Sequence, residues 1–185
     1  MQNQRVKSKE PPYSAQLQES FNTIMPPGME PLNIFRVVGN NERVLSRMVK
    51  GGLLDRGSIS IAQRELVILR TCAVCKAEYE WGVHVATFAA KAGFTQEQIR
   101  NTCSVVIDSE IWTSEQLALL RLVDELHQSA HLSDEVWEAL SQSITDEQMI
   151  ELIMLAGLYH AVSFIVNGLR IEQEKFAPSF PGAEA

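Results

Sequence analysis

The chain is predicted to fold as an all-α domain of about six to eight helices, and three observations lead there. No stretch alternates apolar and polar residues over any length, and no hairpin turn joins two such runs. Apolar residues recur instead three and four apart, as in Leu117, Leu120 and Leu126, or Val136, Ala139 and Leu140. Finally, four helix starts are written as capping boxes: Ser60-x-x-Gln63, Thr95-x-x-Gln98, Thr113-x-x-Gln116 and Thr145-x-x-Gln148. In each, the hydroxyl accepts a backbone N–H and the glutamine reaches back to the cap.

Taken in order, residues 1–32 carry Pro11, Pro12, Pro26, Pro27, Gly28 and Pro31, which predict an irregular arm with one short helix near Ser14–Ile24. Residues 33–176 form the helical domain. Asn40 or Asn41 caps a helix over Glu42–Lys50, closed by Gly51-Gly52, and a loop at Asp55–Ser58 follows. Ser60–Cys75 reads as one helix, and Gly93 ends the next. Ser133 caps a helix through Leu140, with Asp134 and Glu135 set favourably against its dipole. The repeated T-x-E-Q phrase is shared capping chemistry, since the residues after each copy differ. Residues 177–185 read as a loose tail.

A length of 185 residues suits one well-buried core. The net charge of −7 argues against binding nucleic acid, which needs a basic surface, and against docking on anionic lipid. Three cysteines without a regular framework do not read as a secreted disulfide scaffold, and the N-terminus lacks the apolar core of a signal peptide. A cytoplasmic protein is expected. Leu152–Leu169 runs 18 residues without a formal charge, at the threshold for a membrane span. Tyr159, His160, Ser163 and Asn167 interrupt it with polar groups that need partners, so it reads as a buried helix suited to a large core or a subunit interface.

Chemistry concentrates in Arg64–Gly93. Glu65 lies beside an apolar run, either solvated near the helix start or buried with a partner. Glu80 and His84 are four apart, so on a helix they share a face. Such a pair is either an ordinary surface pair or an imidazole raised and oriented by its carboxylate for acid–base work. Cys72-x-x-Cys75 sits at a helix end, where the dipole has the wrong sign to activate a thiol, so small core residues and a redox pair both remain open. Cys103 reads as core. No metal-ligand spacing is present, although Glu80 and His84 with Glu65 or His160 offer donor atoms, and no metal is assigned. His127 and His131 read as partners of a helix C-terminus. Motifs for nucleotide binding and serine hydrolysis are missing.

The phrases Arg64-Glu65-Leu66-Val67-Ile68-Leu69, Tyr79-Glu80-Trp81-x-x-His84 and Ala89-x-x-Ala92-Gly93 together resemble the carboxymuconolactone decarboxylase-like family, within the alkylhydroperoxidase D-like superfamily. The resemblance covers roughly residues 33 to 172. It implies a fold built around a central helical hairpin, usually assembled as a homo-oligomer, a trimer or hexamer. It also implies a small-molecule substrate and no cofactor. In the peroxidase branch a glutamate is followed twelve residues later by C-x-x-C, with a histidine four residues after the second cysteine. Counted from Glu65, those cysteine positions hold Ala77 and Glu80, and the histidine position holds His84. Cys72 and Cys75 lie five residues too early.

The resemblance therefore implies a cofactor-free decarboxylase or lyase acting on a small lactone or carboxylic acid. In it His84 is the acid, Glu80 orients and charges it, Glu65 completes the relay, and Tyr79 and Trp81 shape the pocket. The alternatives are a thiol-dependent peroxidase using Cys72 and Cys75, and a non-catalytic oligomeric binding protein.

Overall fold

The computed structural model describes residues 3–182. Among them are nine helices and no strand, as the fold class predicted. They are α1 (Ala15–Ile24), α2 (Asn33–Val38), α3 (Glu42–Lys50), α4 (Ile61–Val74), α5, α6 (Gln96–Asn101), α7 (Ser114–Ser129), α8 (Asp134–Ser141) and α9 (Asp146–Leu169). Helix α5 begins at Glu78–His84, widens into a π-turn at Val85–Ala89 and closes at Ala90–Ala92. All four capping boxes form with both reciprocal bonds, and Ser133 accepts from Val136 N–H.

The helix beyond the expected six to eight is α2. Its N-cap is Leu32, whose side chain cannot cap. Its free N–H groups are taken by groups distant in sequence: Asn33 N–H donates to Glu174 at 2.6 Å and Ile34 N–H to the Tyr79 hydroxyl at 3.1 Å. Tertiary partners satisfy this helix start, so no local signal announces it.

Helix α4 runs through the centre, with every residue from Glu65 to Cys72 buried. Helices α7 and α9 pack on it, and α5 returns beside it to complete the hairpin. The turn between α4 and α5 is tight. Ala77 N–H donates to Cys72 O at 2.8 Å and Lys76 N–H to Ala73 O at 3.0 Å, with Lys76 in the left-handed region at φ 55°. This is the bonding of a Schellman closure with lysine where glycine is usual.

Helix α9, with 24 residues, is long and apolar enough to cross a membrane. Leu152, Leu155, Ala156, Tyr159, Val162, Ser163 and Val166 are nevertheless buried against the rest of the molecule. The opposite face exposes Ile150, Met154 and Phe164, each more than 60% accessible. The arm is tied down: α1 buries Leu17 and Phe21, and Arg5 N–H donates to Leu169 O at 2.9 Å. The tail, expected loose, is docked as far as it is described. Phe180 packs on Trp81 with ring centroids 5.3 Å apart, and its N–H donates to Glu78 at 2.8 Å. The chain crosses α5 at Gly82, where a Cβ would lie 2.3 Å from Pro178 O.

One polar clamp holds this packing. Buried Arg70 of α4 makes a bidentate pair with Asp124 of α7 at 2.7 and 2.9 Å, and donates to Thr102 O and Ser104 O at 2.8 Å each. Removing one partner of a buried pair costs far more than the pair contributes, because the other is left desolvated. Arg70→Met is expected to lower unfolding free energy by about 3 kcal/mol in denaturant titration. Arg70→Lys is expected to recover only part of it, since an ammonium cannot form the planar fork.

Candidate active site

Glu65, Glu80 and His84 converge. Glu65 is fully buried on α4, and its carboxylate is held from both ends. The Arg64 guanidinium donates to Oε1 through Nε at 2.9 Å, with a second nitrogen 2.9 Å away, and Arg64 is itself anchored on Leu54 O. The other oxygen, Oε2, lies 2.7 Å from His84 Nδ1. Because a carboxylate oxygen only accepts, the Nδ1 proton is on the imidazole. Glu65 is thus the buried, partnered carboxylate of the two sequence readings.

On the far side of the ring, His84 Nε2 lies 3.0 Å from the Tyr159 hydroxyl and 3.5 Å from Glu80 Oε1. Tyr159 comes from the middle of α9, so α4, α5 and α9 each contribute to the imidazole. Phe88, in the π-turn, covers the ring at 5.2 Å and stacks under the Arg64 guanidinium at 5.3 Å. Burial alone pushes the His84 pKa down, but the hydrogen bond to Glu65 and the bond and charge of Glu80 outweigh it and raise the pKa to about 9. At neutral pH the ring is an imidazolium, and with it Arg64, Glu65 and Glu80 form a cluster without net charge. Burial, reinforced by Glu80, holds the Tyr159 phenol well above its ordinary pKa, so it stays protonated.

Glu80 is the exception to this pairing. Its Oε2 is buried and has no hydrogen-bond partner. Together with Tyr159 it lines a small cavity of about 40 Å³ whose other walls are apolar, among them Phe35, Leu54, Leu158 and Val162. That is room for a water or two.

The remaining sequence candidates lie elsewhere. Tyr79 and Trp81, expected to shape the pocket, turn away from it. The Tyr79 hydroxyl donates to Glu174 at 2.7 Å, and Trp81 Nε1 donates to Thr102 at 3.1 Å. One residue along a helix is a rotation of about 100°, so the neighbours of Glu80 face other parts of the core. Cys72 and Cys75 are free thiols. Cys72 is fully buried, and burial followed by the charge of Glu80 raises its pKa, the opposite of activation. Cys75 caps the end of α4 and contacts His127 instead, at 3.8 Å. Tyr159 escaped the sequence reading as a site residue. Its one signal was a polar group inside an apolar run, which demands a partner.

Residues 42–125, which hold α3 to most of α7, match the carboxymuconolactone decarboxylase family. No curated protein matches the chain. Several solved structures share its fold. An uncharacterised peroxidase-related protein from Silicibacter sp. TM1040 is 13% identical, with TM-score 0.78 over 95% of this chain and 94% of that one. The alkylhydroperoxidase AhpD core of a peroxidase-related protein from Ralstonia eutropha JMP134 is 14% identical, with TM-score 0.74 over 95% and 94%. The debrominase Bmp8, in a cysteine-to-alanine form complexed with 2,3,4-tribromopyrrole, is 16% identical, with TM-score 0.73 over 94% of each chain. The hairpin of α4 and α5 and the Glu65–His84 pair across it lie within residues 42–125, the stretch that matches the carboxymuconolactone decarboxylase family, and the whole chain shares its fold with the alkylhydroperoxidase AhpD core.

Proposed function

We propose that this protein is a cytoplasmic acid–base enzyme of the decarboxylase type, acting without a cofactor on a small lactone or carboxylic acid. The observation that carries the reading is that Glu80, whose Oε2 is buried without a partner, lines an apolar cavity beside the buried His84 ring, at the position where the peroxidase branch has its reactive cysteine. A carboxylate there moves protons but cannot exchange disulfides. The tribromopyrrole named with the debrominase supports a small ring as the kind of molecule this fold accommodates.

In this mechanism the apolar walls strip water from the substrate carboxylate. The C–C bond breaks, CO2 leaves, and the electron pair passes to a carbonyl or lactone group of the substrate. The proton on His84 Nε2 goes to the carbon left behind, directly or through the Tyr159 hydroxyl 3.0 Å away. Glu65 keeps the ring oriented through Nδ1, and Glu80 keeps it charged. A lactone acid needs several times the space of the cavity, so turnover includes an outward movement of the wall formed by Ile24, Met48, Gly52 and Leu54. The thiol reading gains nothing from the geometry, since Cys72 is sealed in the core and Cys75 faces a different cluster.

We also infer a homo-oligomer. Ile150, Met154, Gly157, Ala161, Phe164 and Gly168 recur at alternating steps of four and three along the exposed face of α9, an apolar seam with small residues between large ones. Sedimentation of the wild type is expected to show a trimer or hexamer, reduced to smaller species by the double change Met154→Glu and Phe164→Glu. A wild-type monomer at all concentrations would contradict this.

With CO2 release followed across a panel of lactone acids and β-keto acids, His84→Gln and Glu80→Gln are each expected to lose about 10²–10⁴-fold in kcat. Tyr159→Phe should lose less if Nε2 donates directly. Full turnover in both His84→Gln and Glu80→Gln would refute the assignment.

The raised His84 pKa also sets a pH dependence. Its stabilising effect is complete below the unfolded value near 6.5 and is lost as pH rises through about 9. Turnover should therefore decline above pH 9 as the acid is deprotonated. Imidazole NMR should place the titration of His84 near 9 in the wild type and lower in Glu80→Gln.

A further inference from the structure

A second cluster of chemically competent side chains lies outside the catalytic group. Cys75 at the end of α4, His127 in the last turn of α7 and His160 in the middle of α9 offer one donor atom each, all within 4.8 Å of one another. His127 Nδ1 lies 3.8 Å from Cys75 Sγ and 3.0 Å from His160 Nε2. Two imidazole nitrogens and a sulfur sharing a tetrahedral zinc ion, with Zn–N about 2.0–2.1 Å and Zn–S about 2.3 Å, stand about 3.3–3.6 Å apart. The two spacings to His127 bracket that range, and the third, between Cys75 and His160, is within 4.8 Å.

The surroundings suit ligation. His160 Nδ1 donates to Ala156 O at 2.9 Å, which places its proton on Nδ1 and turns the Nε2 lone pair toward His127. The Cys75 carbonyl accepts from the Asn167 amide at 2.9 Å, so α9 holds the backbone of the thiol as well as one of the imidazoles. Only the Cys75 thiol and His127 Nδ1 bring protons to the space between the three atoms, since the His160 proton is on Nδ1. The 3.0 Å contact between imidazoles needs a proton on His127 Nδ1 to be attractive, since two facing lone pairs would repel. A divalent cation resolves that crowding for all three atoms at once.

We propose that Cys75, His127 and His160 form a binding site for a borderline-soft divalent cation, Zn2+ in the first instance. The donor set of one thiolate and two imidazoles selects zinc over magnesium or calcium, which prefer oxygen. On binding, the Cys75 thiol gives its proton to solvent, and the His127 proton moves from Nδ1 to Nε2, freeing Nδ1 for the metal. No electron transfer is involved. Three protein ligands leave a fourth position for water, and His127 is exposed, so the ion has a path in. The site clamps the C-cap residue of α4, in the turn that leads to α5, the helix carrying Glu80 and His84.

Untagged full-length protein titrated with Co2+ as the spectroscopic probe, and with Zn2+ in competition, tests the site. The expected result is one ion per chain, with thiolate-to-cobalt charge-transfer absorption displaced by Zn2+, no competition from Mg2+, and a rise in Tm with added Zn2+. Cys75→Ser should abolish the charge-transfer band, and His127→Ala and His160→Ala should each weaken binding by more than about tenfold. Cys103→Ser and His131→Ala should bind as wild type. Circular dichroism of each variant without metal establishes that it is folded. Absence of the charge-transfer band in folded wild type, or unchanged binding in any one of the three ligand variants, would overturn the proposal.

Discussion

A carboxylate with no solvent exposure at the centre of the molecule constrains much of what surrounds it. Glu65 loses its hydration on folding, which costs several kcal/mol for an ion unless charged partners replace the water. Arg64 and His84 do so, one at each carboxylate oxygen. The requirement propagates outward. For His84 to reach Glu65, α5 must return beside α4 at close range, and the left-handed Lys76 in the turn between them makes that return possible. For the far nitrogen of His84 to be satisfied, α9 must bring Tyr159 across the core. The hairpin, its tight turn and the long apolar helix meet in one buried hydrogen-bond chain.

What the sequence disclosed of this arrangement was whatever acts over a few residues. Capping boxes, three-and-four spacing and the Glu80–His84 pair are local, and each appears in the structure as it reads in the chain. Helix α2 was hidden because Tyr79 and Glu174, far along the chain, complete its first turn. Tyr79 and Trp81 were misplaced for the opposite reason: adjacency in sequence suggested a shared pocket, while helical rotation sent them to different neighbours. The Cys75, His127 and His160 cluster was illegible because its members are 52 and 33 residues apart on three helices.

The polar residues inside α9 make the same point from the other direction. Four polar side chains interrupt the apolar run, and three find partners on elements brought near only by the fold: Tyr159 with His84, His160 with His127, and Asn167 with the carbonyl of Cys75. Ser163 is buried without a hydrogen bond. The apolar residues of α9 place the helix in the core, and Tyr159 favours one rotation and register there, because a slip of one residue would take its buried hydroxyl away from His84 and leave it without a partner.

Glu80 stands apart from this economy of partnered groups, and its role follows from charge. Arg64, Glu65 and a protonated His84 alone carry one net positive charge in a buried site, an arrangement that favours release of the imidazole proton. Adding the Glu80 carboxylate 3.5 Å from Nε2 brings the cluster to neutrality and holds the proton on the ring. For that purpose one oxygen suffices. The second, Oε2, is buried without a partner, a cost that an apolar side chain of similar volume would avoid. Groups left in this condition concentrate where a ligand or a reacting atom supplies the missing partner. A thiol at this position would offer electrons to a peroxide, whereas a carboxylate beside an imidazolium offers a proton and a base, and the acid–base function proposed for this protein rests on that difference.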